Sequence, residues 1–434
     1  MMSLGLGIIA LYSLLSLTSM AGMNLGFGAV FLVFLLAAFR RDGRAFDKMA
    51  AIPEFRLYLK TGAGLFATCL LSLTAAKFFP YSYAGHAPEI TLHGFLKIWY
   101  LLCPLILTVA FSAQAFDPEE NLRFVLRVWW ATVILLLPIG LIQFKTGWIH
   151  PQIIPTNLAF HHVTLFFGHH LSSASILIFP AFTAMAVMMG RLRRGQPLPL
   201  LETGAALAGT TLLFLSYART AWIAIPLGIV LIFARNLKPK RFAASVAALL
   251  LVLGAASQTP AMKERIRNSM GIRDRFRLWE ANLDYFRHRP VTGIGWLKTQ
   301  EMSEFYFKEK DPANYHSYFW GHAHNNIFEM LGGTGILGTL AFFAWSLFTL
   351  AFALNTRKAA SSAHRPFFED VSIGIFTALI LLHFNGMTNV TFWEGKVMHQ
   401  QMLAVAILFM IRIAISGGDG HPDRERARGQ APRP

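Results

Sequence analysis

Residues 321–339 read GHAHNNIFEMLGGTGILGT, and the side chains best suited to chemistry gather there, where a polar stretch enters a long apolar run. His322 and His324 stand two residues apart at its mouth. Titratable groups at the mouth of a membrane helix are costly to place and mark sites. His324 fits two roles, a hydrogen-bonded interfacial residue or a general base. Its position favours the second: the positive end of a helix disfavours imidazolium and leaves a ring nitrogen free to accept a proton. An anion bound nearby would push the other way. Gly332, Gly335 and Gly338 recur three apart, a spacing that also serves close helix packing.

Arginines supply the second kind of chemistry. Arg219, in SYARTAW, sits alone at a turn between two apolar segments. There it either snorkels to a headgroup phosphate or grips a lipid-linked one. Arg273, Arg275 and Arg277 open a helical stripe of Phe276, Trp279, Leu283 and Phe286. They fit a headgroup-facing cluster or an anion site, since guanidinium forks match phosphate oxygens. Arg275 precedes Trp279 by one helical turn and shares its side, so it is the first choice, ahead of Arg277. The stripe ends before HRPVTGIGW, residues 288–296, a turn made supple by Gly293 and Gly295. No H-E-x-x-H or D-x-D occurs, and His150, His161, His162, His169 and His170 match no ligand spacing. Those five read as a loop at headgroup level. Neither a metal site nor a cofactor is expected.

These residues must be positioned by a membrane bundle. The chain is 54% hydrophobic and only 14% charged, where a soluble chain carries about a quarter. Apolar runs of spanning length predict about twelve helices: 4–20, 25–39, 61–79, 95–116, 128–144, 171–190, 200–217, 220–234, 242–257, 326–354, 371–386 and 400–415. The fold expected is an all-α polytopic membrane protein with one large periplasmic loop carrying short helices. The divisions are 1–257 (nine helices), 258–324 (external segment), 325–416 (three helices) and 417–434 (a disordered cytoplasmic tail). The net charge of +16 falls mostly in short loops between apolar runs. All of these lie on one side of the bundle, as the positive-inside rule requires, so topology rather than nucleic acid explains the charge. Cys69 and Cys103 lie within apolar runs and suggest no disulfide framework.

Three ordered patterns resemble the O-antigen ligase family of the O-antigen ligase and polymerase superfamily. They are S-x-x-R at 216–219, R-x-x-x-W followed by P-x-x-G-x-G over 275–295, and His324-Asn325 with Gly335, Gly338 and Thr339 downstream. The resemblance implies transfer of a glycan from undecaprenyl pyrophosphate to the sugar core of lipid A, at the periplasmic face of the bacterial inner membrane. By that resemblance His324 is the catalytic histidine, and Arg219 and Arg275 hold the pyrophosphate. Arg277, Asn325 and His322 are secondary candidates, with no role assigned to His322. An O-antigen polymerase and a protein O-oligosaccharyltransferase share the donor and remain alternatives. A lipid or glycan transporter is the reading from another class, kept open by His383 in mid-segment.

Overall fold

A computed structural model describes residues 4–39, 43–91, 97–114, 117–151, 160–234 and 270–417, with isolated positions between 235 and 269. Fourteen α-helices account for most of it. They are α1 (Leu4–Leu15), α2 (Met20–Phe39), α3 (Gly43–Ala50), α4 (Pro53–Phe78), α5 (Cys103–Ser112), α6 (Pro118–Thr146), α7 (His170–Arg193), α8 (Leu200–Leu215), α9 (Arg219–Ala234), α10 (Met270–His288), α11 (Thr299–Lys310), α12 (Asn326–Ser362), α13 (Pro366–Asn385) and α14 (Gly395–Gly417). No strand occurs among the described residues, only an isolated bridge between Tyr83 and His86.

Among the described residues seven helices are long and apolar enough to cross a bilayer: α2, α4, α6, α7, α12, α13 and α14. Four shorter apolar helices, at 4–15, 99–112, 200–215 and 219–233, fall on four further predicted spans. The predicted span 242–257 and the tail 418–434 lie outside the described residues. Hydropathy locates spans but underestimates helix length. Residues 117–127, read as a loop, form the first turns of α6, because Asp117 caps Glu119 N–H at 2.9 Å and Pro118 opens the helix. Pro104 has the opposite effect: a 3₁₀ segment, Lys97–Leu102, precedes α5 instead of one continuous helix.

The bundle is layered by composition. α7 and α14 are apolar on nearly every side and lie buried at the centre, α7 against α8 and α13. α2 and α4 are peripheral, with Leu25, Leu32, Leu36, Leu57 and Phe66 turned outward. A second small core forms over one end of the bundle, where Tyr83, Leu278, Ala281, Tyr285, Met302 and Tyr306 pack together. This core corrects the expected stripe. α10 buries Leu278, Ala281, Asn282 and Tyr285, whereas Phe276 is 59% exposed. The stripe assumed an apolar partner. Instead α10 packs on α12, where Asn282 Oδ1 fills the space that a side chain at Gly332 would need.

α12 is not one straight helix. Gly335 adopts φ 63° and ψ −163°, and the hydrogen-bond ladder breaks there. The N–H groups of Ile336 and Leu337 donate instead to Pro290 O (2.9 Å) and Val291 O (3.4 Å). The carbonyls of Gly332 and Gly333 accept from Ile294 N–H and Gly295 N–H, each at 3.0 Å. Four backbone groups beside the break therefore find partners in the 290–295 turn. Closeness demands glycine: a Cβ at Gly293 would lie 2.4 Å from Gly333 C, and one at Gly335 2.5 Å from Val291 C. Of the three spaced glycines, Gly335 thus serves a backbone splice, while Gly332 serves the close approach of α10.

Gly335→Ala is expected to lower the thermal unfolding temperature of the purified protein sharply. The left-handed conformation alone costs on the order of 1–3 kcal/mol, before the clash with Val291. Gly64→Ala, in α4 with open space around the added methyl, should be neutral or slightly stabilising. Equal stability of the two variants would refute the splice.

Candidate functional site

The mouth of α12 is held from three directions. Asn325 is its N-cap, and its Oδ1 accepts from Ile327 N–H at 2.8 Å and Phe328 N–H at 3.2 Å. Asn325 Nδ2 donates to Met387 O at 2.9 Å. Asn326 completes the clamp on the loop after α13, donating from its backbone to Gly386 O (2.7 Å) and accepting from Thr391 N–H (2.9 Å). On the other flank Glu329, buried in the first turn of α12, accepts from Ala323 N–H at 2.8 Å and from Thr299 Oγ1. Trp279 stacks on Phe328 at 4.9 Å and donates to Ala323 O at 2.8 Å. Residues 322–324 are thereby fixed on both sides.

His324 pays for this placement with backbone strain. Its φ is 48°, a left-handed conformation rare for a residue with a side chain. Such strain persists only where the surroundings over-determine it, and it clusters at functional sites. The His322 ring lies 4.2 Å from that of His324, centroid to centroid, and His322 Nδ1 accepts from His324 N–H at 3.2 Å. Tyr217, two residues before Arg219, shares the strained conformation at φ 54°.

Two cavities meet at His324. The larger, about 550 Å³, is lined by Arg219, Thr220 and Tyr217 from the α8–α9 turn, and by Arg275, Phe276 and Trp279 from α10. Leu171, Ile223, Phe319 and Phe384 give it largely apolar walls. The smaller, about 310 Å³, is lined by Gln300, His322, Asn389, Trp393, Glu394 and Ser172. His169 and His324 belong to both. The sequence-derived candidates Arg219, Arg275 and His324 thus face one space, although they come from three separate segments. Arg277 turns away, its guanidinium 4.1 Å from the Tyr318 ring centre and 3.8 Å from Asp274. Arg273 is exposed. Asn325 holds the backbone rather than the cavity, and His322 faces the smaller one.

Sequence reasoning missed three residues. His169, placed in a headgroup loop, stands at the start of α7 between the cavities. Glu394 is partly buried and accepts a hydrogen bond from Ser172. Glu329 is only 6% exposed and braces the 322–324 segment. The doublet His169-His170 immediately before an apolar run was the one available signal for the first. For the two glutamates no local signal existed.

Electrostatics follow from burial. Desolvation, then His322, Arg275 and His169, push the His324 imidazole down to about 3. His322 is driven down to about 4 by desolvation and then by Arg275. The Arg275 guanidinium is itself lowered by burial and by Arg219. Burial raises Glu394, partly offset by the Ser172 hydrogen bond and by Lys396. The arginine side of the site holds two guanidiniums and one carboxylate, that of Asp274. Among the described residues no three His, Cys, Asp or Glu side chains cluster as a metal site.

A bundle of apolar helices, capped by a small folded unit that encloses an arginine- and histidine-lined cavity, defines an all-α integral membrane protein. Residues 204–343 match the family model described as O-antigen ligase. The match contains Arg219, Arg275, His322 and His324, and over residues 204–343 it bears out the family resemblance read from the sequence. No curated protein matches the chain.

The depressed imidazoles predict a pH dependence of stability. In the unfolded chain His322 and His324 protonate near the ordinary value of 6.5, whereas in the folded protein they do so only near 4 and 3. The unfolded state binds more protons in between, so stability falls as pH drops from about 6.5 toward 4. Thermal unfolding at neutral and mildly acidic pH should show a smaller acid-induced drop in the His322→Asn, His324→Asn double variant. An unchanged drop would exclude these two groups as its source.

Proposed function

We propose that the protein is an O-antigen ligase of the bacterial inner membrane, acting at the periplasmic face. The carrying observation is the position of His324 as the shared wall of two unlike cavities. The larger, apolar with two arginines, suits the pyrophosphate and first isoprene units of an undecaprenyl-pyrophosphate-linked glycan. The smaller, lined with amide, carboxyl and indole groups, suits the sugar of a lipid A-core acceptor. About twelve spans and an external 258–324 segment complete the topology.

The reaction is a direct displacement. The acceptor hydroxyl oxygen bonds to the anomeric carbon, the bond from that carbon to the pyrophosphate oxygen breaks, and configuration inverts. His324 takes the hydroxyl proton; positioned general-base help is worth roughly 10²–10⁴-fold. Undecaprenyl pyrophosphate leaves with the bonding pair, and Arg219 and Arg275 neutralise the charge that develops on it. The low basicity of His324 in the empty site has a remedy in the donor itself. Pyrophosphate beside Arg275 cancels the positive field that depresses the imidazole, so donor binding makes His324 a better base. The sequence offers no metal-ligand motif, and the proposed reaction uses no cofactor.

His324→Ala should reduce turnover by several orders of magnitude in a reconstituted assay while donor binding survives. His322→Ala should be far milder. Arg219→Ala and Arg275→Ala should instead weaken donor binding, with poor rescue by lysine, which lacks the bidentate fork. Transfer should persist in EDTA. Near-normal turnover of His324→Ala, or strict need for a divalent cation, would overturn this mechanism.

A deletion strain separates the related activities. Loss of polymer from lipid A with polymer retained on the carrier lipid marks the ligase. A single repeat unit on lipid A marks a polymerase, and loss of glycan from protein marks a protein O-oligosaccharyltransferase. Lys308→Cys should react with a membrane-impermeant thiol label in intact spheroplasts, since Lys308 is exposed and native Cys69 and Cys103 are buried. Labelling only after permeabilisation would invert the topology.

A further inference from the structure

At the far end of the bundle from His324 lies a third, half-open polar space that the proposed reaction does not use. It measures about 280 Å³ and is lined by Arg123, Arg127, Arg191 and Arg194, with Glu202 as its one acidic residue. Two helices build it in the same way. α6 presents Arg123, Arg127 and Trp130, and α7 with the residue after it presents Val187, Arg191 and Arg194; each set is spaced by four and then three residues, one helical face. Phe367, at the start of α13, closes a wall.

The arginines are not merely scattered on a basic rim. Arg123 is set over the Phe367 ring at 3.8 Å while its Nη2 donates to Glu119 at 2.7 Å. Arg194 donates to Asp370 at 2.8 Å, and that carboxylate is fully buried beneath it. Two guanidiniums are thus oriented by carboxylates that do not line the cavity. Arg127 and Arg191 face it with no ion pair to a described residue. The orientation rule accounts for basic residues on one side of a membrane. It does not account for four of them converging on a space with aromatic walls.

We propose that this cavity binds a phosphate group, supplied by the headgroup of an anionic phospholipid. The neighbouring surface decides for a lipid source. Leu192 at the end of α7, Leu198 in the connection and Leu200 at the start of α8 are 42%, 51% and 87% exposed. An acyl chain would cover them while its phosphodiester enters among the arginines. Basic pockets between membrane helices take such headgroups by the same pairing. The bound lipid ties α6, α7, α8 and α13 together at the end opposite the site, whose walls α7 and α13 also form.

The test uses the full-length protein in a neutral detergent, titrated with phosphatidylglycerol, phosphatidylcholine or inorganic phosphate. Thermal unfolding and lipid retained in native mass spectrometry are the readouts. Phosphatidylglycerol should raise the unfolding temperature and stay bound, and phosphatidylcholine should do neither. Arg127→Gln with Arg191→Gln should weaken the phosphatidylglycerol effect roughly tenfold or more. Arg56→Gln with Lys60→Gln, which removes two exposed cations of α4 outside the cavity, should leave it intact. If the glutamine pair fails to fold, Arg127→Lys with Arg191→Lys keeps the charge and should retain weakened binding. Undiminished lipid binding in the Arg127 and Arg191 variants, or equal loss in the control pair, would overturn the site. Stabilisation by inorganic phosphate matching that by phosphatidylglycerol would overturn its assignment to a lipid.

Discussion

Four backbone hydrogen bonds between the 290–295 turn and residues 332–337 carry the consequence of breaking a membrane helix. An unpaired amide in an apolar environment costs several kcal/mol, so α12 cannot bend at Gly335 unless something replaces the lost ladder. The turn after α10 does so, and in doing so it fixes the cap to the bundle. The position of α10, and with it Arg275 and Trp279, follows from that splice. Trp279 then holds Ala323, and Ala323 adjoins both histidines. Ser72 of α4 adds a hydrogen bond to Gly333 O at 2.7 Å, joining the peripheral layer to the same point.

The site gathers groups that repel one another. Two arginines face one cavity, and two imidazoles are kept neutral by burial and by Arg275. Left alone, this is an unfavourable arrangement, stabilised by packing elsewhere. An anionic ligand between the guanidiniums would offset their mutual repulsion, and in the proposed reaction the donor pyrophosphate supplies that charge. The left-handed backbone at His324 and near Arg219 belongs to the same pattern: local cost is accepted where geometry matters.

The central helices connect two polar ends. α7 begins at the histidine pair beside His324 and ends at arginines of the opposite cavity; α13 runs back between the same two places. Tight burial along α7 leaves it little freedom to shift at one end without the other. Glu119 illustrates how that far end is fastened. Its carboxylate receives Arg123 of α6 at 2.7 Å and Arg365, the residue preceding α13, at 2.6 Å.

Local information settled what depends on local physics. Apolar length identified the membrane class, because spanning is a property of a single segment. The His324 and Arg219 motifs were legible because each marks a polar interruption of an apolar run. Arg275 was separable from Arg277 by helical angle alone. The α10 stripe was misjudged because which face is buried depends on the partner, and α12 offers glycine rather than an apolar ridge. Glycines at 293, 295 and 335 were visible as letters, but only the fold reveals that they pair with one another. Glu329 and Glu394 carried no local signal as cavity residues and His169 only a weak one, since a cavity wall is assembled from segments far apart in sequence. Periodicity and hydropathy act over a few turns of chain; enclosure is a long-range property, and tertiary packing alone decided it.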